Sequence, residues 1–252
     1  MFGGFCHNST MSGDVHSDLD RATCSAALAA FIAEARDLRL AAAADPVIER
    51  RRANLRAWQA SRLARTHADL LASERFGEAA AFFLSDLYGP KDFGERDTEL
   101  ARILPLMTSL LPVSGLNTLL LAIEVDALSE RFDAAMVSVL GAQLDAPEMS
   151  GAAYASAYRE VGDCPGRETQ IRLIGETGEA LDAFAQKPFV RMALKMMQGP
   201  ARMAGLGELQ AFLERGFDAF RTMRDASEFL DCIVSRERDF SAALFSGGTQ
   251  LS

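Results

Sequence analysis

Apolar residues along this chain recur at three- and four-residue intervals, the spacing of one face of an α-helix, from about residue 18 almost to the carboxyl end. A first helix is expected over 18–44, with Ser17 as its cap. Asp45-Pro46 reads as a cap followed by a first-turn proline, opening a second helix that lasts to about Ser73. A third covers roughly Glu74 to Leu87 and stops at Tyr88-Gly89-Pro90. A fourth starts near Asp92 to Glu95 and ends by Leu111-Pro112, with Pro105 expected to kink or split it.

The fifth helix, about 114–141, is the most apolar. Leu116, Leu119, Leu120, Ile123 and Ala127 lie on one side, and Leu121, Val125, Leu128, Phe132 and Val139 on another. A helix apolar over so much of its circumference belongs at the centre of a bundle. Further helices are expected over Gly151–Val161, Arg167–Ala185 and Pro188–Gln198. Two amphipathic ones follow, marked by Leu209, Phe212, Leu213, Phe217 and Phe220, then by Phe229, Leu230, Ile233, Phe240 and Leu244. The Gly and Pro residues near 162–166 and 199–207 mark loops too short for interdomain linkers. Strand signals are scarce, and no period of 20–50 residues repeats. The expected fold is all-α: one multi-helix bundle over 18–247 around the central helix, preceded by a flexible segment, 1–17, in which Met11 could serve as the start.

Charge and composition narrow the function more than they reveal it. The net charge of −9 argues against nucleic acid, whose phosphates call for a basic face. The one basic run, Glu49 to Arg65, holds six arginines against one acid and reads as a solvated helix face with one or two arginines turned inward. Cys6, Cys24, Cys164 and Cys232 stand far apart, so a disulfide framework and a zinc site are not expected and each is read as a free thiol. No secretory signal or apolar run of about 18 residues is visible, and a cytoplasmic protein, off the membrane, is expected.

Polar residues on apolar faces mark where a site would sit. At 100° per residue, Gln59 and Arg62 fall inside the stripe of Ile48, Leu55, Leu63, Thr66 and Leu70, with Trp58 on its flank. Glu124 lies between the two apolar arcs of the central helix, and Glu237 among the apolar residues of the last. A lone buried charge costs several kcal/mol, so these groups are expected to find partners. Arg62 is expected to pair with Glu124 or with an acid of the 86–97 segment. Gln59, Arg62, Glu124 and Glu237 then form either a network fixing helix register or the lining of a small-ligand pocket, with Trp58 and Phe82 as walls.

The segment from Phe82 to Arg102 carries a resemblance. Trp58-Gln59, Arg62-Leu63, Phe82-Phe83-Leu84, Asp86-Leu87-Tyr88-Gly89-Pro90, Asp92, Arg96-Asp97 and Arg102 resemble an uncharacterised bacterial family of helical proteins, a likeness that extends to Arg236-Glu237. The resemblance implies the fold unit and carries over no catalytic residue. Physically, Gly89 can take a positive φ and Pro90 stops the helix. Asp92 can cap the next helix, Arg96, Asp97 and Arg102 can pair across the turn, and Asp86 and Tyr88 complete a structural corner or a partner surface.

Familiar chemistries find no support. His7, His16 and His67 never follow a glutamate as Glu-x-x-His, the spacing of di-metal bundles, so no metal is expected. His67, at the edge of its stripe, reads as a surface or boundary histidine, and no cofactor is expected. No nucleotide or nucleophile motif appears. Met192, Met196, Met197 and Met203 recur at helical spacing, the pattern of a core row; with Lys195 and Arg202 beside them, an adaptable binding surface is the other reading. Two functions follow: a non-enzymatic helical module binding a protein partner or itself, or a small-ligand binder or enzyme whose pocket is lined by the inward polar residues.

Overall fold

The computed structural model describes residues 20–84, 103–105, 108–109 and 112–248. The principal helices are α1 (Arg21–Ala43), α2 (Pro46–Thr66), α3 (Ala68–Leu71), α4 (Gly77–Phe82), α5 (Val113–Leu140), α6 (Gly151–Val161), α7 (Cys164–Ala185), α8 (Pro188–Met203), α9 (Gly207–Met223) and α10 (Ser227–Phe245). No strand occurs among the described residues. None of their helices is long and apolar enough to cross a membrane. The fold is all-α.

Local chemistry sets most boundaries. Asp20, Asp45, Ser150 and Asp163 accept backbone N–H bonds at the starts of α1, α2, α6 and α7. Gly141, at φ +50°, takes the chain out of α5 into a short 3-10 turn, a conformation that costs a side-chain-bearing residue more. Three boundaries correct the sequence reading. The second helix does not run on to Ser73; it breaks at His67, whose φ of −114° and ψ of 27° are not helical. The break turns the imidazole inward, where it is buried. The seventh helix begins at Cys164 rather than Arg167, because Asp163 caps it and Pro165 fits its first turn. The eighth continues through Gly199 and Pro200 to Met203, held beyond the proline by buried Ala201.

The central position of α5 follows from its two apolar arcs. Leu116, Leu120 and Ile123 pack on Cys24 and Leu28 of α1, while Leu121, Leu128 and Phe132 meet Leu173 of α7. Farther along, Met136, Val137 and Leu140 join Leu55, Tyr154, Tyr158 and Leu244. A separate aromatic core of Phe76, Phe82, Phe83, Phe217, Phe220 and Phe229 joins α4, α9 and α10. Between α7 and α10 the approach is close. A Cβ on Gly175 would stand 2.9 Å from Val234, and one on Gly178 would overlap Leu230.

Cys24 and Cys232 are not in disulfides, and the Cys24 thiol donates to Asn117 Oδ1 at 3.0 Å. Cys164 is disulfide-bonded, which corrects the expectation of a free thiol there.

Candidate functional site

Two features stand out: a polar seam in the interior and an apolar helix face at the surface. The seam is built by matched spacing. Asp126, Glu130 and Asp133 follow one another at four and three residues along α5, as do Arg52, Arg56 and Gln59 along α2, so each set lies on one helix face. The faces meet. Arg52 Nη2 donates to Glu130 Oε2 at 2.8 Å, and Arg56 bonds both Glu130 and, through Nε at 3.0 Å, Asp133. Gln59 Nε2 donates to Asp133 Oδ1 at 3.2 Å. Arg39 of α1 closes the seam, with Nε 3.0 Å from Glu130 and Nη2 on Asp126.

The surroundings tune the two buried acids in opposite directions. Burial pushes Glu130 up, but Arg56, Arg39 and Arg52 together outweigh it and hold the carboxyl below its ordinary range. Asp133 moves the other way: its burial is the larger effect, and Arg56 only partly offsets it.

Farther along α2, Arg62 meets a carboxylate of α10, Glu237; the acids of the 86–97 segment lie outside the described residues. His67 Nε2 lies 3.2 Å from the same Glu237 oxygen. Burial pushes Glu237 up, while His67 and Arg62 pull it below the usual range. The Arg62 guanidinium also lies 4.2 Å from the centroid of Phe240. Trp58 stacks on Tyr154 at 4.2 Å and donates from Nε1 to the Met149 carbonyl, while Tyr158 and Ser241 share a hydroxyl–hydroxyl bond of 3.0 Å.

Arg167 of α7 is the odd member. It is buried, lies 3.7 Å from the ring centroid of Phe132 and 4.4 Å from that of Tyr158, and bonds Gln170 at 3.4 Å. Among the described residues, its Nε and Nη2 have no hydrogen-bond partner.

Of the four inward polar residues read from the sequence, Arg62 and Glu237 come into contact, and Gln59 joins the neighbouring seam through Asp133. Glu124 is half-buried on α5. Trp58 and Phe82 do not share a wall: Trp58 packs with Tyr154, Phe82 with Phe83 and Phe212. His67 is buried, correcting the surface reading. Asp86, Tyr88, Gly89, Asp92, Arg96, Asp97 and Arg102 lie outside the described residues. Among the described residues, no group of three or more His, Cys, Asp or Glu could hold a metal ion. Glu130, Asp133 and Arg167 were missed from the sequence. The first two were signalled by the spacing they share with Arg52, Arg56 and Gln59; Arg167 had no signal, since its aromatic neighbours come from other helices.

The surface feature lies on α8, and it overturns the reading of its methionines as core. Met192, Met196 and Met203 are 63%, 70% and 90% exposed, and Phe189 and Met197 are exposed as well. The side turned inward is narrow: Val190 and Ala201 are buried and Leu194 is half-buried. The helix rests on α9 and, less extensively, α7. Gln210 of α9 donates to the Leu194 carbonyl at 2.8 Å, and Gln198 donates to Glu214 at 2.8 Å. Arg191, Lys195 and Arg202 are exposed along one edge, and Pro188–Met203 contains no acid.

Residues 38–251 match the model of a family described as a domain of unknown function (DUF8198). No significant match to the chain exists among curated proteins or solved structures.

Proposed function

The chain belongs to that family, whose description carries no activity, and we propose from its own geometry that it is a helical protein-interaction module docking through α8. The carrying observation is the exposed row of Phe189, Met192, Met196 and Met203. Large apolar side chains scattered singly on a surface need no explanation, but four exposed on one face of a single helix mark a contact surface. Methionine suits that role because its unbranched, polarizable side chain adapts to irregular partners. The polar seam acts as the module's internal fastener: Glu130, Asp133 and Glu237 are each answered by cations on neighbouring helices, and register is set by those pairings.

The test uses the full chain purified from its own host and weighed by native mass spectrometry. The wild type is expected in a complex that Met192→Glu/Met196→Glu removes while circular dichroism stays unchanged. A wild type that is a bare monomer, or a complex indifferent to the substitutions, would contradict the reading.

A further inference from the structure

We infer that the occupant of the α8 face is an amphipathic helix of a partner protein that carries a row of carboxylates along one edge; this rests on the interaction reading above. At about 100° per residue, Met192, Met203, Met196 and Phe189 fall within roughly 60° of arc. Arg191, Arg202 and Lys195 form a second row immediately beside them. Among the described residues none of the three forms a salt bridge and α8 holds no acid; Glu214 of α9, whose carboxyl Arg202 helps to hold down, is the acid beside the row, and Arg191 and Lys195 lie beyond it. On a chain of net charge −9, this is a local basic edge next to an apolar stripe. The 16 residues of α8 span about 24 Å, a length that a partner helix of about four turns covers.

Charge separates this occupant from the others. A second copy pairing α8 with α8 brings no carboxylate, and in antiparallel two-fold pairing the two basic rows fall on the same side and repel. An anionic bilayer would be met by the acidic body as well as by α8, whereas a narrow helix meets the local edge alone. Charges beyond about 10 Å are largely screened at ordinary salt. The stripe is also mostly methionine, where helices that lie in a bilayer surface favour Trp, Phe and Leu.

The experiment measures fluorescence anisotropy of two labelled helical peptides with the full-length protein. Both carry leucine at helical spacing; one bears a glutamate row on one edge, the other a lysine row. Vesicles of phosphatidylcholine with phosphatidylserine are run in parallel. The acidic peptide is expected to bind about tenfold more tightly than the basic one, the order that three exposed ion pairs supply, with the advantage shrinking as salt rises. Arg191→Glu/Lys195→Glu/Arg202→Glu should reverse the preference, and Met192→Glu/Met196→Glu should remove both complexes. Equal binding of the two peptides, binding of neither, or binding to vesicles alone would overturn the acidic occupant. If the methionine substitutions dissolve the host complex while the charge reversal leaves it intact, the interaction reading stands and the acidic occupant fails. If neither changes that complex, both fail.

Discussion

Arg62 and Glu237 stand 175 residues apart in the chain and form an ion pair that ties α2 to α10. His67, exposed to the same carboxylate by the helix break, makes the contact three-sided. Removing one member of a buried pair strands the other, at about 3–5 kcal/mol, whereas removing both strands less. Arg62→Met is therefore expected to destabilise by about that amount. The Arg62→Met/Glu237→Met double variant should cost less than the sum of its singles, with a coupling of about 1–3 kcal/mol. Urea denaturation of the four proteins measures the cycle. Additive losses would show that the two side chains contribute independently.

The same carboxylate gives a pH dependence of fixed sign. Glu237 is held below its ordinary value of 4.5, with burial opposing and His67 and Arg62 prevailing. Its contribution is therefore fully present above about pH 4.5 and lost as pH falls through the folded-state value. Asp133 is raised above 3.8 because burial outweighs Arg56 and Gln59. The native state then holds its proton longer than the unfolded chain, so this residue's contribution declines as pH rises from 3.8 through the folded-state value. Denaturation across a pH series should show Asp133→Asn losing that decline, while Glu237→Gln loses the acid-side drop. Matching pH profiles for both variants and the wild type would refute the assignment.

The contact of α7 with α10 depends on the absence of a side chain. Gly178 leaves the space that Leu230 fills, and Gly175 admits Val234. Gly178→Ala gains up to about 1 kcal/mol in helix propensity, against an overpacking cost of about 1–3 kcal/mol. A net fall in Tm of about 2–6 °C is expected by calorimetry. A rise in Tm would mean that the helices separate without cost.

How much of this was legible in the sequence depends on what periodicity encodes. The two arcs of α5 were readable because its apolar residues encircle the helix, which only a central position explains. Arg62 and Glu237 were readable as inward because each interrupts an apolar stripe. Their pairing was not, since it depends on how α2 crosses α10. Glu130 and Asp133 were passed over for Glu124 because each helix was read alone; the match becomes visible only when α5 is laid against α2. His67 looked peripheral because no Gly or Pro announced the break that buries it. The α8 methionines show the remaining limit. Spacing identifies an apolar face, but whether another helix covers it depends on the packing of the whole chain.

The exposure of that face is also the most direct test of the account. Methionine sulfoxide formation under mild peroxide, followed by peptide mass spectrometry, reports each residue separately. In the isolated protein, Met192, Met196 and Met203 should oxidise much faster than Met136 and Met223, which are fully buried. In the complex from the host, the three should slow toward the buried pair while other exposed sites keep their rates. Unchanged oxidation of Met192, Met196 and Met203 in the complex would contradict the docking surface, as would slow oxidation in the isolated chain.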